Sequence, residues 1–139
     1  MSSRRKARVL AFQSLFSYDF NKNSIEDLLK FGWMDETKLE VFDEETLNFA
    51  KLLIAGTLEN LDKLDSAITK QLKSWDFKRI VKVELAILRI SVYSLLYQKD
   101  IPSTVTINEA IDIAKDYGGD DAYKFVNGIL DGINKSGDK

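Results

Sequence analysis

Pro102 is the only proline in 139 residues, and seven glycines are the only other residues that disfavour a regular helix so strongly. Proline breaks a helix interior and glycine weakens it, so a chain this poor in both is free to run in long helices. No stretch alternates apolar and polar residues between turn signals, as a half-buried strand would. The pattern predicts an all-α fold with helices near 4–19, 24–31, 43–60, 62–74, 79–98, 104–117 and 121–134. Asp43, followed by Glu44 and Glu45, reads as an N-cap with acids in the first turn. Gly118 and Gly119 end one helix, and Asp120 or Asp121 can cap the next. The segment from Phe31 to Leu39 reads as the longest connection. With no internal repeat or low-complexity tract, the chain reads as one domain over 1–139, its helical halves meeting near 74–80.

Composition narrows the chemistry. Cysteine and histidine are both missing. That excludes disulfides, thiolate or imidazole metal ligands, thiol nucleophiles and the commonest general base. An enzyme would be left with carboxylate, lysine or hydroxyl chemistry, and the acids at 43–45 are better explained as a helix cap. No cofactor and no metal is implied. No apolar run approaches the roughly 20 residues of a membrane span. The first 18 residues, basic and free of acids, have the composition of a transit peptide but read better as the first helix of the domain.

The formal net charge of −2 hides a block pattern. Residues 1–20 carry four cations against one acid, 21–66 five against eleven, 67–100 seven against three, and 101–139 four against seven. Arg4, Arg5, Lys6 and Arg8 form the densest basic cluster. A polyanion would meet both basic blocks only if folding brought them to one side.

Helical geometry, at about 100° per residue, divides the first helix into two stripes. Ala7, Leu10, Ala11, Ser14, Leu15 and Tyr18 form one. Val9, Phe12, Phe16 and Phe20 form the other, which needs a second cover from the chain or from a partner. The helix at 79–98 is apolar around most of its circumference and reads as the central one. Its Glu84 must reach solvent, an internal cation or a partner to avoid a desolvation cost. In the last helix Ala122, Val126, Ile129, Leu130 and Ile133 make the core stripe, with Phe125 at its edge beside Gly128 and Gly132. Each internal glycine costs about 1 kcal/mol relative to alanine, so something must approach that flank closely: a neighbouring helix, or a base stacked on Phe125 with Lys124 and Asn127 adjoining.

The segments "RRKARVLAFQSLF", "VELAILRISVYSLLY", "DIPSTVTINEAIDIAKDYGG" and "KFVNGILD" together resemble the NusB family of bacterial transcription antitermination factors, in order and over nearly the whole chain. The resemblance implies two three-helix-bundle-like halves, approximately 1–74 and 75–139, and no catalysis. It implies a cytoplasmic protein that binds single-stranded boxA RNA together with NusE, a ribosomal small-subunit protein. The complex is expected to join elongating RNA polymerase and suppress termination, notably on ribosomal RNA operons.

Carried over by position, the resemblance assigns RNA contact to Arg4, Arg5, Lys6, Arg8, Asp121, Lys124 and Phe125. It assigns the surface facing NusE, or a second copy in a homodimer, to the first helix with Phe12, Phe16 and Phe20, and to Glu84. Position 16 is commonly tyrosine in the family, so a hydroxyl contact there is lost in Phe16. Two alternatives remain at this stage. One is a module related to the N-terminal RNA-binding domain of ribosomal RNA cytosine methyltransferases, whose glycine-rich loop and nucleophilic cysteine are missing here. The other is a helical protein-interaction module that binds no RNA.

Overall fold

The computed structural model describes residues 3–136, all of whose regular elements are helical. They are α1 (Ser3–Asn21), α2 (Ile25–Leu29), α3 (Glu36–Leu39), α4 (Glu44–Glu59), α5 (Leu61–Lys70), a 3-10 turn at Phe77–Arg79, α6 (Lys82–Tyr97), α7 (Ser103–Tyr117) and α8 (Ala122–Ser136). No helix among the described residues is long and apolar enough to cross a membrane.

The chain divides into two compact units, Met1–Glu59 and Asn60–Lys139. The sequence placed the junction near 74–80. The structure moves it to the N-terminal side of α5, because α5 packs on α6 and α8. In the first unit α1 and α2 pack on α4. Their core holds Leu10, Leu28, Leu53 and Ile54, each at most 1% exposed.

Local chemistry fixes the ends of these elements. Asp43 caps α4 by accepting a hydrogen bond from the Thr46 N–H at 2.8 Å. The Thr46 side chain first, and its N–H second, hold the Asp43 carboxyl below its usual range, and Lys6 nearby adds to the effect. The expected connection from Phe31 to Leu39 contains the short helix α3, capped by Asp35 accepting from the Thr37 N–H. An Asp followed by Glu and Thr is a sequence signal for such a start. Phe31 closes α2 in the left-handed region at φ 56°, a conformation costing about 1–2 kcal/mol in a residue of this kind. Its ring, 2% exposed, offsets that cost by burial. Trp33 then ties the segment to α1, donating from Nε1 to the Ser14 hydroxyl at 2.9 Å, while Ser14 donates to the Leu10 carbonyl.

The second unit is built on α6, which packs against α5, α7 and α8. Leu85, Ala86, Ile87, Leu88, Ile90 and Val92 are all buried, as expected of a central helix. The predicted helix at 62–74 stops at Lys70. The next one begins only at Lys82, leaving 71–81 as a mostly polar connection around a single 3-10 turn.

Candidate nucleic-acid interface

The N-terminal cluster separates on folding. Arg4 and Lys6 are exposed and Arg5 is half-buried. The Arg4 guanidinium lies 3.9 Å from the centroid of the Phe49 ring. One face is thereby fixed while its edge donors stay in solvent, a favourable preparation for a phosphate. Arg8 departs from expectation. It is 6% exposed, with its guanidinium 5.5 Å from the same ring. A delocalised cation with a long apolar stem can be buried against an aromatic face, which places Arg8 in the fold rather than on the surface.

The second aromatic stripe of α1 is graded. Phe12 is 3% exposed, so its assignment to a partner surface is corrected: the side chain is part of the buried core. Phe16 is half-buried, and Phe20, 60% exposed, meets it edge to face at 4.9 Å. Val9, at the other end of the stripe, is half-buried, so the stripe is most open at Phe20.

In the second unit, Phe125 stands beside Trp75 with ring centroids 6.3 Å apart and planes at 52°. Trp75 is 59% exposed, and the Arg79 guanidinium lies 6.0 Å from its ring centroid. The two rings border two clefts of about 300 Å³ each. One is lined by Arg79, Ile80, Glu84 and Asp121, the other by Lys73, Ser74, Lys124 and Gly128. Lys124 and Asp121 face each other at 3.4 Å, both well exposed. Such a surface pair is worth little and is easily exchanged for a phosphate.

Sequence reasoning missed Trp75, Lys73 and Arg79. The signal was present in "KSWDFKR", residues 73–79, where cations flank two aromatic residues outside any helical stripe. At helical spacing a tryptophan between Ser74 and Asp76 has only Leu72 as an apolar neighbour, beside Gln71, Lys78 and Arg79.

The glycines of α8 have different explanations. A Cβ at Gly132 would collide with the far end of the flexible Gln71 side chain, which occupies that space. A Cβ at Gly128 would meet nothing within 4 Å.

Glu84 has no cation paired with it among the described residues, and partial burial pushes its carboxyl above the usual range. An internal salt bridge is therefore excluded as its explanation. Arg89, on the same helix, donates from Nε and Nη2 to the two carboxylate oxygens of Asp65 at 2.9 and 2.8 Å. It belongs to the packing of α5 on α6. Among the described residues no group of three or more acids is placed to hold a metal ion.

Exposed cations, an exposed Trp75 beside a half-buried Phe125, and shallow clefts are the features expected of a surface that takes unpaired nucleic acid. Comparison with known proteins leads to the same place. The family model described as the NusB family matches residues 5–135, reaching across both units. The transcription antitermination protein NusB of Treponema pallidum (strain Nichols) is 49% identical over 133 residues, covering 96% of this chain and 93% of the relative. Among solved structures, T. maritima NusB is 41% identical with a TM-score of 0.83, covering 95% of this chain and 90% of its own. A chain in the crystal structure of antitermination factors NusB and NusE in complex with dsRNA has a TM-score of 0.86 at 27% identity, with 98% of each chain covered. On the match to both units and the identity to these relatives, the chain belongs to the NusB family.

Proposed function

We propose that this protein is a transcription antitermination factor of the bacterial cytoplasm, a non-catalytic adaptor that binds boxA-type RNA together with a NusE protein and joins elongating RNA polymerase, notably on ribosomal RNA operons. Membership of the NusB family over both units carries the reading. The exposed Trp75 ring beside the half-buried Phe125 supports it physically and favours unpaired RNA. Stacking on a protein ring needs a base whose face is free, and an A-form duplex offers none along its length.

In this reading Arg4, Arg5 and Lys6 hold phosphates on the first unit, while Lys124 and Phe125 contact RNA on the second. Asp121, an anion beside that surface, orients Lys124 and can accept from a base amino group. The reading is tested by fluorescence anisotropy of a labelled boxA RNA, with and without NusE, against scrambled and duplex RNA. Binding should tighten with NusE, and NusE binding should tighten with RNA by the same factor. Failure of any RNA to bind, even with NusE present, would leave a protein-interaction module.

Salt dependence tests the basic cluster separately. Each phosphate contact to a single strand contributes about −0.7 to the slope of log affinity against log salt, so the three cations outside the core should supply about −2. Charge reversal at Arg4 and Lys6 together should weaken RNA binding whatever its sequence and make the slope shallower by about 1.4. A slope unmoved by the double reversal would place the RNA elsewhere.

Protein contacts are assigned to Phe16 and Phe20 on the first unit and to Glu84 on the second. Glu84 allows a test by sign. Its folded-state pKa is raised, so the folded protein takes up the proton first as pH falls, and stability rises between the folded value and the ordinary one near 4.5. At neutral pH the half-buried charge is a net cost. Glu84→Gln should therefore leave Tm at pH 7 unchanged or higher and remove this part of the pH dependence, yet weaken NusE binding by removing the anion that a partner cation meets. Wild-type affinity for NusE in a folded Glu84→Gln protein would take Glu84 out of the interface.

A further inference from the structure

Helix α5 presents two cations that its own sequence leaves unpaired. The positions one turn from Lys63 and Lys70 within the helix are Ser66 and Ala67, where an acid would make a helical ion pair. Lys30, Lys124 and Lys135 each have such an acid and meet it, whereas Lys63 and Lys70 meet none among the described residues. Seven residues apart, they lie on one face of α5 about 10 Å from each other. Both border a groove of about 460 Å³ between α5 and α6, to which α6 contributes Tyr97. Tyr97 is 42% exposed and stacks on Tyr93, with ring centroids 5.5 Å apart and planes at 27°. Glu84 is about 20 Å away along the same helix, so the groove is separate from the surface assigned to NusE on this unit. It adjoins the RNA surface instead: Lys70 belongs to the wall of the groove, and the next residue, Gln71, to the wall of the cleft that holds Lys73 and Phe125.

We propose that the groove between α5 and α6 carries the single-stranded RNA that flanks the boxA-type element, with phosphates held by Lys63 and Lys70 and a base stacked on Tyr97. The proposal rests on the RNA-binding reading above and adds to it a second contact region, away from α8. Unpaired lysines beside an exposed ring are the two components of a surface that tracks a strand without reading its sequence. The openness of the groove points the same way. A small molecule needs a site that buries most of its surface, whereas Lys63, Ser66, Lys70 and Tyr97 are all exposed, as suits a strand passing over them. Asp62, the one acid on the wall, lies in the first turn of α5, where the helix dipole favours its charge.

The test compares, by anisotropy, a boxA-type oligonucleotide with the same element lengthened on its 5′ or its 3′ side by a short unstructured tract. One of the two extensions should bind about tenfold more tightly and steepen the salt slope by about 1.4, two phosphate contacts at about −0.7 each. Lys63→Gln with Lys70→Gln should return the longer RNA to the affinity and slope of the short one. The same double variant should bind the short element as the wild type does and unfold at the same Tm, since neither exposed lysine is held in an ion pair. Tyr97→Ala should cost the longer RNA about tenfold and Tyr97→Phe little, because the ring and not the hydroxyl makes the stack. Equal binding of long and short RNA by the wild type, or a gain that survives the double lysine replacement, would overturn the groove and leave the RNA-binding reading standing. A mononucleotide that binds the wild type but not the double variant, with no gain from either extension, would make the groove a small-molecule site and overturn the proposal in the same way. Absence of RNA binding by the wild type, with or without NusE, would overturn both.

Discussion

Alanine in place of Phe125 should cost about 1–3 kcal/mol of RNA affinity, Trp75→Ala should cost about as much, and the double replacement should cost less than the sum. Geometry gives the reason for the shortfall. A base sandwiched between two rings needs parallel planes about 7 Å apart, two stacking steps of about 3.4 Å. The Trp75 and Phe125 planes are inclined at 52° with centroids 6.3 Å apart, so the rings already touch each other. A base must therefore stack on an outer face, with one ring supporting the other. Removing either ring loosens the remaining one. Trp75 is largely outside the core and Phe125 only half-buried, so unfolding midpoints should move far less than RNA affinity does. Anisotropy on proteins shown by circular dichroism to be folded decides the matter, and unchanged affinity in the double variant would remove the aromatic pair from the site.

How much of this was legible in the sequence depends on whether periodicity carried the information. The buried stripe of α8, from Ala122 through Val126 and Leu130 to Ile133, was readable because a helix covered on one side repeats every three or four residues. The same logic failed at Phe12. A helix buried on two faces shows two stripes, and nothing in the spacing says whether the second is covered by the protein or by a partner. Arg8 was misplaced because counting cations assumes that each is solvated, whereas this one lies against Phe49. Trp75 was overlooked for the opposite reason. It lies outside every helix, where there is no period to break, and its exposure is legible only once the connection from 71 to 81 is laid out in space. Glu84 and Gly128, by contrast, are residues that local physics disfavours on sequence alone. Among the described residues, Glu84 has no paired cation and a side chain at 128 would meet no neighbour, which turns two oddities of sequence into candidates for contact with something else.

Asp65→Ala should be among the most destabilising single changes to an ionisable residue of this protein, at about 2–4 kcal/mol, or a fall in Tm of roughly 10 °C. The size of the effect follows from what the change leaves behind. Arg89 and Asp65 form a bidentate pair, and their side chains are only 12% and 26% exposed. Removing the acid takes away two charge-assisted hydrogen bonds from a guanidinium that solvent reaches poorly. The Phe77 ring, 5.9 Å from that guanidinium, is no substitute for a carboxylate. Arg89→Lys should also destabilise, by less, since an ammonium cannot reproduce the two-pronged geometry. Replacing both partners, as Asp65→Leu with Arg89→Met, should recover much of the loss because both halves of the ion pair are then removed together. A surface cation for RNA would behave differently: its loss would barely move Tm, and RNA affinity and salt slope would fall. If folded Arg89→Lys protein bound RNA with a shallower slope and unchanged Tm, Arg89 would belong to the RNA surface and the α5–α6 pairing would be incidental. The bidentate geometry and low exposure predict the reverse, a protein less stable but with wild-type affinity per folded molecule. Of the basic block at 67–100, the exposed Lys73 and Arg79 then remain the cations best placed beside the aromatic pair to meet RNA.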